Sequence, residues 1–191
     1  MNNSVKVVMV VFLVFLSLNA YSKDNAHQLG VSVGYGYGHF GSVSSSNPSY
    51  KPAMLMLHYA VAANRTAPFL ANISKRWMFY LEPGYSFINN KRSEKEIGVG
   101  AGLQYMFDMS KKIKGYFLIG SGLIHITYKS DYQKRGLNFQ DNIGSGLLFF
   151  ISENKALDIG VRFRHISNAG TRKPNHGIGD FIGTMGLSFF F

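Results

Sequence analysis

The chain has no cysteine among its 191 residues. Disulfides and thiolate metal sites are therefore excluded, and an exported protein that does without disulfides is compatible. Beyond its first residues it lacks any hydrophobic run long enough for a spanning helix, which takes about 20 apolar residues. Acidic residues are few, 10 against 20 Lys and Arg, giving a formal charge of +10. That excess does not make a nucleic-acid surface. The basic residues fall into separate short clusters, Lys91 with Arg92, Lys111 with Lys112 and Lys114, Lys134 with Arg135, and Arg172 with Lys173, with no single stripe and no binding motif. Anionic lipid phosphates suit such charge better than nucleic acid does. No metal-ligand spacing is present, because His27, His39, His58 and His125 are scattered without carboxylate partners at a fixed interval. Neither a phosphate loop nor a dinucleotide fingerprint nor a haem attachment signal occurs, so no cofactor and no metal is expected.

Among what is there, an export signal comes first. Lys6 precedes an apolar run over residues 7–16, and Ala20 with Ser22 supplies the small residues a signal peptidase reads, so residues 1–22 are expected to be a signal peptide and 23–191 one mature domain. Over the whole chain 46% of residues are hydrophobic and 15% aromatic, which suits either a filled soluble core or a barrel facing lipid. Alternation separates these. Leu29, Val31, Val33, Tyr35 and Tyr37 alternate with Gly30, Ser32, Gly34 and Gly36, and Ile97, Val99, Ala101, Leu103 and Tyr105 alternate with Gly98, Gly100, Gly102 and Gln104. One face is greasy and the other bare or polar, as a narrow transmembrane barrel requires. Six further stretches, 50–62, 77–88, 114–128, 138–151, 156–167 and 178–191, join 28–38 and 96–108 to make eight strands.

Polar turn-like stretches separate most of these strands, at 89–95, 110–112, 129–136, 152–155 and 168–177. Residues 42–49 form a Ser-rich loop, and 63–76 is long for a short turn and leaves room for a short helix or an extended strand. Strands without spanning helices must close on themselves in hydrocarbon, so the expected fold is all-β, an eight-stranded antiparallel transmembrane β-barrel of outer-membrane type. Met185, Leu187, Phe189 and Phe191 end the chain on an aromatic terminus like the assembly signature of such barrels. With an even strand number both termini lie on the periplasmic side, and the end of strand seven reaches the extracellular rim.

That strand carries the chemistry. Ile159, Val161, Phe163, His165 and Ser167 share one face, and Asp158, Arg162 and Arg164 share the other. His165 and Ser167 stand side by side, about 7 Å apart along the backbone, a spacing at which an imidazole reaches a hydroxyl. A Ser needs such a base to become a nucleophile, and the base needs a carboxylate to fix its tautomer. Asp180 is the nearest in sequence. On a regular strand it faces inward, so a catalytic Asp180 requires a β-bulge, for which Gly177 and Gly179 are the expected place. Without a bulge the site is a Ser-His dyad or is catalytically impaired, and Asp180 is an inward lumen residue.

The longer pattern, His165, Ser167, Asn168, Ala169 and Gly170, then Pro174, Asn175, Gly177 and Ile178, resembles the lipid A 3-O-deacylase (PagL) family of outer-membrane esterases. The upstream GLNFQDNIGSG, residues 136–146, resembles that family's preceding strand. The resemblance implies release of the ester-linked 3-hydroxyacyl chain at the 3 position of lipid A, with Ser167 as nucleophile and His165 as base. It also implies that Asn168, Asn175 and the amides of Ala169 and Gly170 are oxyanion or positioning groups, and that Phe139 seats an acyl chain. The family places Glu where this chain has Gly179, with Asp180 next. The implied partner is lipopolysaccharide in the outer leaflet of the outer membrane, and a homodimer is neither required nor ruled out. A structural or adhesive barrel shares the strand pattern without the site, and a palmitoyl transferase barrel would need an internal acyl pocket.

Overall fold

A computed structural model describes residues 26–41, 49–89 and 91–191. The expected signal peptide and most of the Ser-rich loop lie outside the described residues. Eight antiparallel strands close into a barrel. They are β1 (His27–Phe40), β2 (Ser49–Tyr50 and Pro52–Ala62, interrupted at Lys51), β3 (Trp77–Ile88), β4 (Lys91–Asp108), β5 (Ile113–Ile126), β6 (Gly136–Ser152), β7 (Lys155–Ser167) and β8 (Ile178–Phe190). The break in β2 does not change its register on β1, which runs from Tyr35 opposite Ala53 to His39 opposite Ser49. Each strand pairs with the next, and β1 pairs with β8 from Gln28 opposite Phe190 to Phe40 opposite Ile178. No sheet edge is left, which is what a hydrocarbon surround demands of a β structure.

The alternation read from the sequence sets the two faces. Outward positions stay open, including Val33 at 60% and Phe181 at 62% exposure. In water so much bare apolar wall is an association hazard, whereas in a bilayer it is solvated. Trp77, Phe117 and Tyr59 sit toward the rim that carries both chain ends, and Tyr37, Phe87 and Phe139 toward the other. Aromatic girdles of this kind mark the two membrane interfaces.

Among the described residues the inside is packed with side chains and holds no channel. Tyr116 lies across the glycines of β6 and β7, where a Cβ at Gly146 would stand 2.4 Å from its hydroxyl. Apolar clusters close both ends, with Met78, Met106, Leu148 and Phe190 at the terminal rim and Phe40, Tyr50, Ile88 and Ile166 at the loop rim. Between them lies a polar belt. Arg162 pairs with Glu82, and Arg164 bridges Glu96 and Asp180. The internal cavities resolved among the described residues are about 30 and 20 Å³, far too small for an acyl chain. An internal acyl pocket, as a palmitoyl transferase barrel would use, has no room here.

One expectation for the connections is corrected, and one left open takes its short-helix form. Residues 91–95 belong to β4 rather than to a turn, and pairing shifts between Phe87 and Ile88 to accommodate them. Residues 63–76 contain two short 3-10 turns, Ala63–Arg65 and Pro68–Leu70. The long connections 127–135 and 168–177 both emerge at the loop rim.

Candidate active site

His165 and Ser167 close β7 at the loop rim, both on the outward face. Register fixes their neighbours: Ser167 lies opposite Phe139 and His165 opposite Asp141 on β6, while Gly179 of β8 lies opposite His165 on the other side. His165 and Asp141 are exposed and Ser167 is half-buried. Phe139, 44% exposed, stands beside the Ser. Among the described residues no hydrogen bond joins Ser167, His165 and Asp141. Such contacts often tighten only around substrate.

The connection 168–177 is folded by its own polar groups. The Thr171 amide donates to the Asn168 carbonyl at 3.1 Å, with Ala169 and Gly170 between them at φ 53° and 75°. Two successive positive φ values under that hydrogen bond are the signature of a type I′ turn. Ala is an uncommon occupant, and the left-handed region costs it about 1–2 kcal/mol. Ala169 and Gly170 are exposed at the tip of this turn, two and three residues after Ser167.

The two Asn residues help to hold this connection together. Asn168 is buried, its amide donates to Asn175 Oδ1 at 2.9 Å, and its Nδ2 donates to the Arg172 carbonyl at 2.8 Å. Its donors are already committed to holding the loop. Asn175 Oδ1 also accepts from Gln133 Nε2 at 3.0 Å. Gln133, absent from the sequence reading, is buried at the centre of this network: its Nε2 also donates to Asn138 Oδ1, and its Oε1 accepts the Gly177 amide at 2.9 Å. Arg172 donates to the carbonyls of Arg135 and Leu137, so it fastens the loop to the start of β6. Gly177 has φ 78°, and a Cβ there would stand 2.8 Å from His165 Cε1. The imidazole therefore lies against a backbone that only Gly leaves clear.

Asp180 is not in this site. Register between β7 and β8 runs without a shift through Ile166 opposite Ile178, His165 opposite Gly179 and Arg164 opposite Asp180. The expected bulge is absent. Asp180 points into the lumen, fully buried, and accepts two hydrogen bonds from Arg164, at 3.1 Å from Nε and 2.6 Å from Nη2. This bidentate pair holds the strand in regular register, because a bulge would turn the carboxylate toward lipid and leave Arg164 short of a partner.

Above the rim, connections 127–135 and 168–177 enclose an open bowl of about 1100 Å³. Its lining includes Lys129, Lys134, Arg135, Lys173 and His176 against a single acid, Asp131. Gly170, beside Ser167, forms part of its edge.

A closed barrel with a lipid-facing wall and a Ser-His pair exposed at its rim defines an outer-membrane β-barrel with a candidate hydrolytic site on its outside. The family profile for lipid A 3-O-deacylase (PagL) matches residues 52–188. The chain belongs to that family. A stretch of 42 residues is 50% identical to lipid A deacylase PagL of Pseudomonas aeruginosa and spans 22% of each of the two chains, so this match reaches about a fifth of that relative's length. The crystal structure of the outer membrane enzyme PagL superposes with a TM-score of 0.56 at 22% identity, over 83% of this chain and 98% of that one. Neisserial surface protein A superposes with a TM-score of 0.63 at 15% identity, over 87% and 97%. At these identities the two structural likenesses speak for fold alone.

Proposed function

We propose that this protein is a lipid A 3-O-deacylase that uses Ser167 to hydrolyse the ester holding the 3-hydroxyacyl chain at the 3 position of lipid A. The observation that carries the reading is the placement of His165 and Ser167 side by side, facing outward at the loop rim, in a chain of the deacylase family. An ester within a lipid leaflet meets such a pair from the side, without entering the barrel.

In this reading His165 takes the Ser167 proton as Oγ attacks the ester carbonyl. The amides of Ala169 and Gly170 donate hydrogen bonds to the developing oxyanion, a contribution of about 3–4 kcal/mol per donor in hydrolases generally. His165 then returns the proton to the sugar 3-oxygen, which leaves as a hydroxyl. Water, deprotonated by the same ring, releases the 3-hydroxy fatty acid from Ser167. Phe139 lies along the acyl chain, and the basic bowl receives the anionic head group. The loop rim faces the cell exterior, after removal of residues 1–22 during export.

The test uses purified barrel in detergent and lipid A, with mass spectrometry of both products. Wild-type protein releases a 3-hydroxy fatty acid, while Ser167→Ala and His165→Asn lose at least about 10³-fold of the rate and retain heat-modifiable barrel migration. Equal turnover by Ser167→Ala would remove Ser167 from the nucleophile's role.

A further inference from the structure

Ester hydrolysis by His165 and Ser167 calls for a carboxylate beside the ring, and Asp180 is on the wrong side of the wall. Two independent observations indicate another. The first is register. At the level of His165 one outward row crosses four strands, Asp141 on β6, His165 on β7, Gly179 on β8 and His39 on β1. The Glu that the family resemblance implies falls on Gly179, directly opposite His165, where this chain has no side chain. Asp141 occupies the mirror-related place on the other flanking strand. Directly opposed residues of an antiparallel pair have Cβ atoms about 4.5–5.5 Å apart, which brings a carboxylate within reach of an imidazole N–H by rotamer choice.

The second observation is polarity. Glu82, Glu94, Glu96, Asp108, Asp158 and Asp180 all alternate to the lumen side of their strands, and each has a hydrogen-bonded partner. Among the described residues Asp141 is the only strand acid on the outward face. It is exposed and has no hydrogen bond or ion pair there. A carboxylate on a wall made for lipid is unfavourable and contributes nothing to the fold. Its neighbour in register is the proposed base.

We propose that Asp141 replaces the family's Glu as the carboxylate that orients His165 and stabilises its imidazolium, so that the acid has moved from one flanking strand to the other. Asp141 acts through His165 and is a positioning residue. It accepts a hydrogen bond from the ring nitrogen that does not face Ser167. This inference rests on the esterase reading, and its test separates the two.

Wild type, Asp141→Asn and the double variant Asp141→Asn with Gly179→Glu are compared in detergent micelles by deacylation kinetics and by nitrogen-15 NMR of labelled His165. Position 179 accepts a side chain, since a Cβ there would be 3.4 Å from Phe163 Cζ. Asp141→Asn lowers kcat by about 10²–10⁴-fold with KM little changed, and it alters the tautomer signals of the His165 ring. Restoring a carboxylate from the β8 side recovers at least about ten-fold of that loss, which a structural effect would not do. A wild-type barrel that leaves lipid A intact, but whose His165 signals respond to Asp141→Asn, keeps the pairing and retires the substrate. An active wild type with an equally active Asp141→Asn overturns the pairing alone. Unchanged His165 signals in Asp141→Asn also overturn it, whatever the kinetics.

Discussion

Gly177 illustrates how closely the proposed base is framed. It lies in the left-handed region at φ 78°, and its missing side chain is what admits the His165 ring. Gly177→Ala adds about 1–2 kcal/mol of backbone strain and a methyl group 2.8 Å from Cε1. The loop yields before the barrel does, so the expected result is a fall in kcat of about 10–100-fold from a displaced ring, with the barrel's melting unchanged. Deacylation kinetics beside a thermal melt of the same sample check both halves. At this scale the sequence was informative about direction. Strand parity alone puts His165, Ser167 and Phe139 outward, and the same count from Phe139 puts Asp141 outward too. Asp180 misled because it is near in sequence. Parity had it facing inward, and the bulge invoked to turn it is opposed by Arg164, which lies across from it and binds it bidentately.

Whole elements were readable where lipid imposes a contrast between the two faces, and less so beyond the lipid. All eight strands appear in the alternation of apolar and small residues, but residues 91–95 read as a turn. Their Lys91, Glu94 and Lys95 belong to a part of β4 that extends past the apolar band, where both faces are polar and the period-two signal vanishes. The pairing of the two long connections was equally hidden. Gln133 and Asn175 form a β-bridge across 42 positions, the Lys134 amide donates to the Pro174 carbonyl, and the His176 amide donates to the Tyr132 carbonyl. Nothing local marks Gln133 as the hub of that contact. Gln133→Ala leaves the Gly177 amide and Asn138 Oδ1 without their Gln133 partner, at about 1–3 kcal/mol for each group left buried and unpaired, while Asn175 Oδ1 keeps the Asn168 amide. Connection 168–177 then opens more often. Faster hydrogen exchange at Gly177 and His176 is expected together with a fall in turnover of about ten-fold, while strand amides keep their protection.

Taken whole, the molecule places stability inside its wall and the proposed chemistry outside it. Arg164, Glu96 and Asp180 sit buried in a lumen belt between apolar plugs, and Tyr50 and Ser86 donate to Glu96. A carboxylate in this belt is satisfied by Arg164, and removing the guanidinium leaves two buried charges without their counterion. Arg164→Ala is therefore expected to destabilise the barrel by about 3–5 kcal/mol in urea unfolding from lipid vesicles. Asp180→Asn removes one acid and keeps Glu96 as a partner, so it loses less stability than Arg164→Ala and, because the wall separates it from His165, keeps turnover within about two-fold of wild type. The two readouts must part in this order if the register is right. Asp180→Asn that abolished turnover and left unfolding untouched would instead mean that this carboxylate serves His165 through the wall, and the unshifted pairing of β7 with β8 would not describe the working protein.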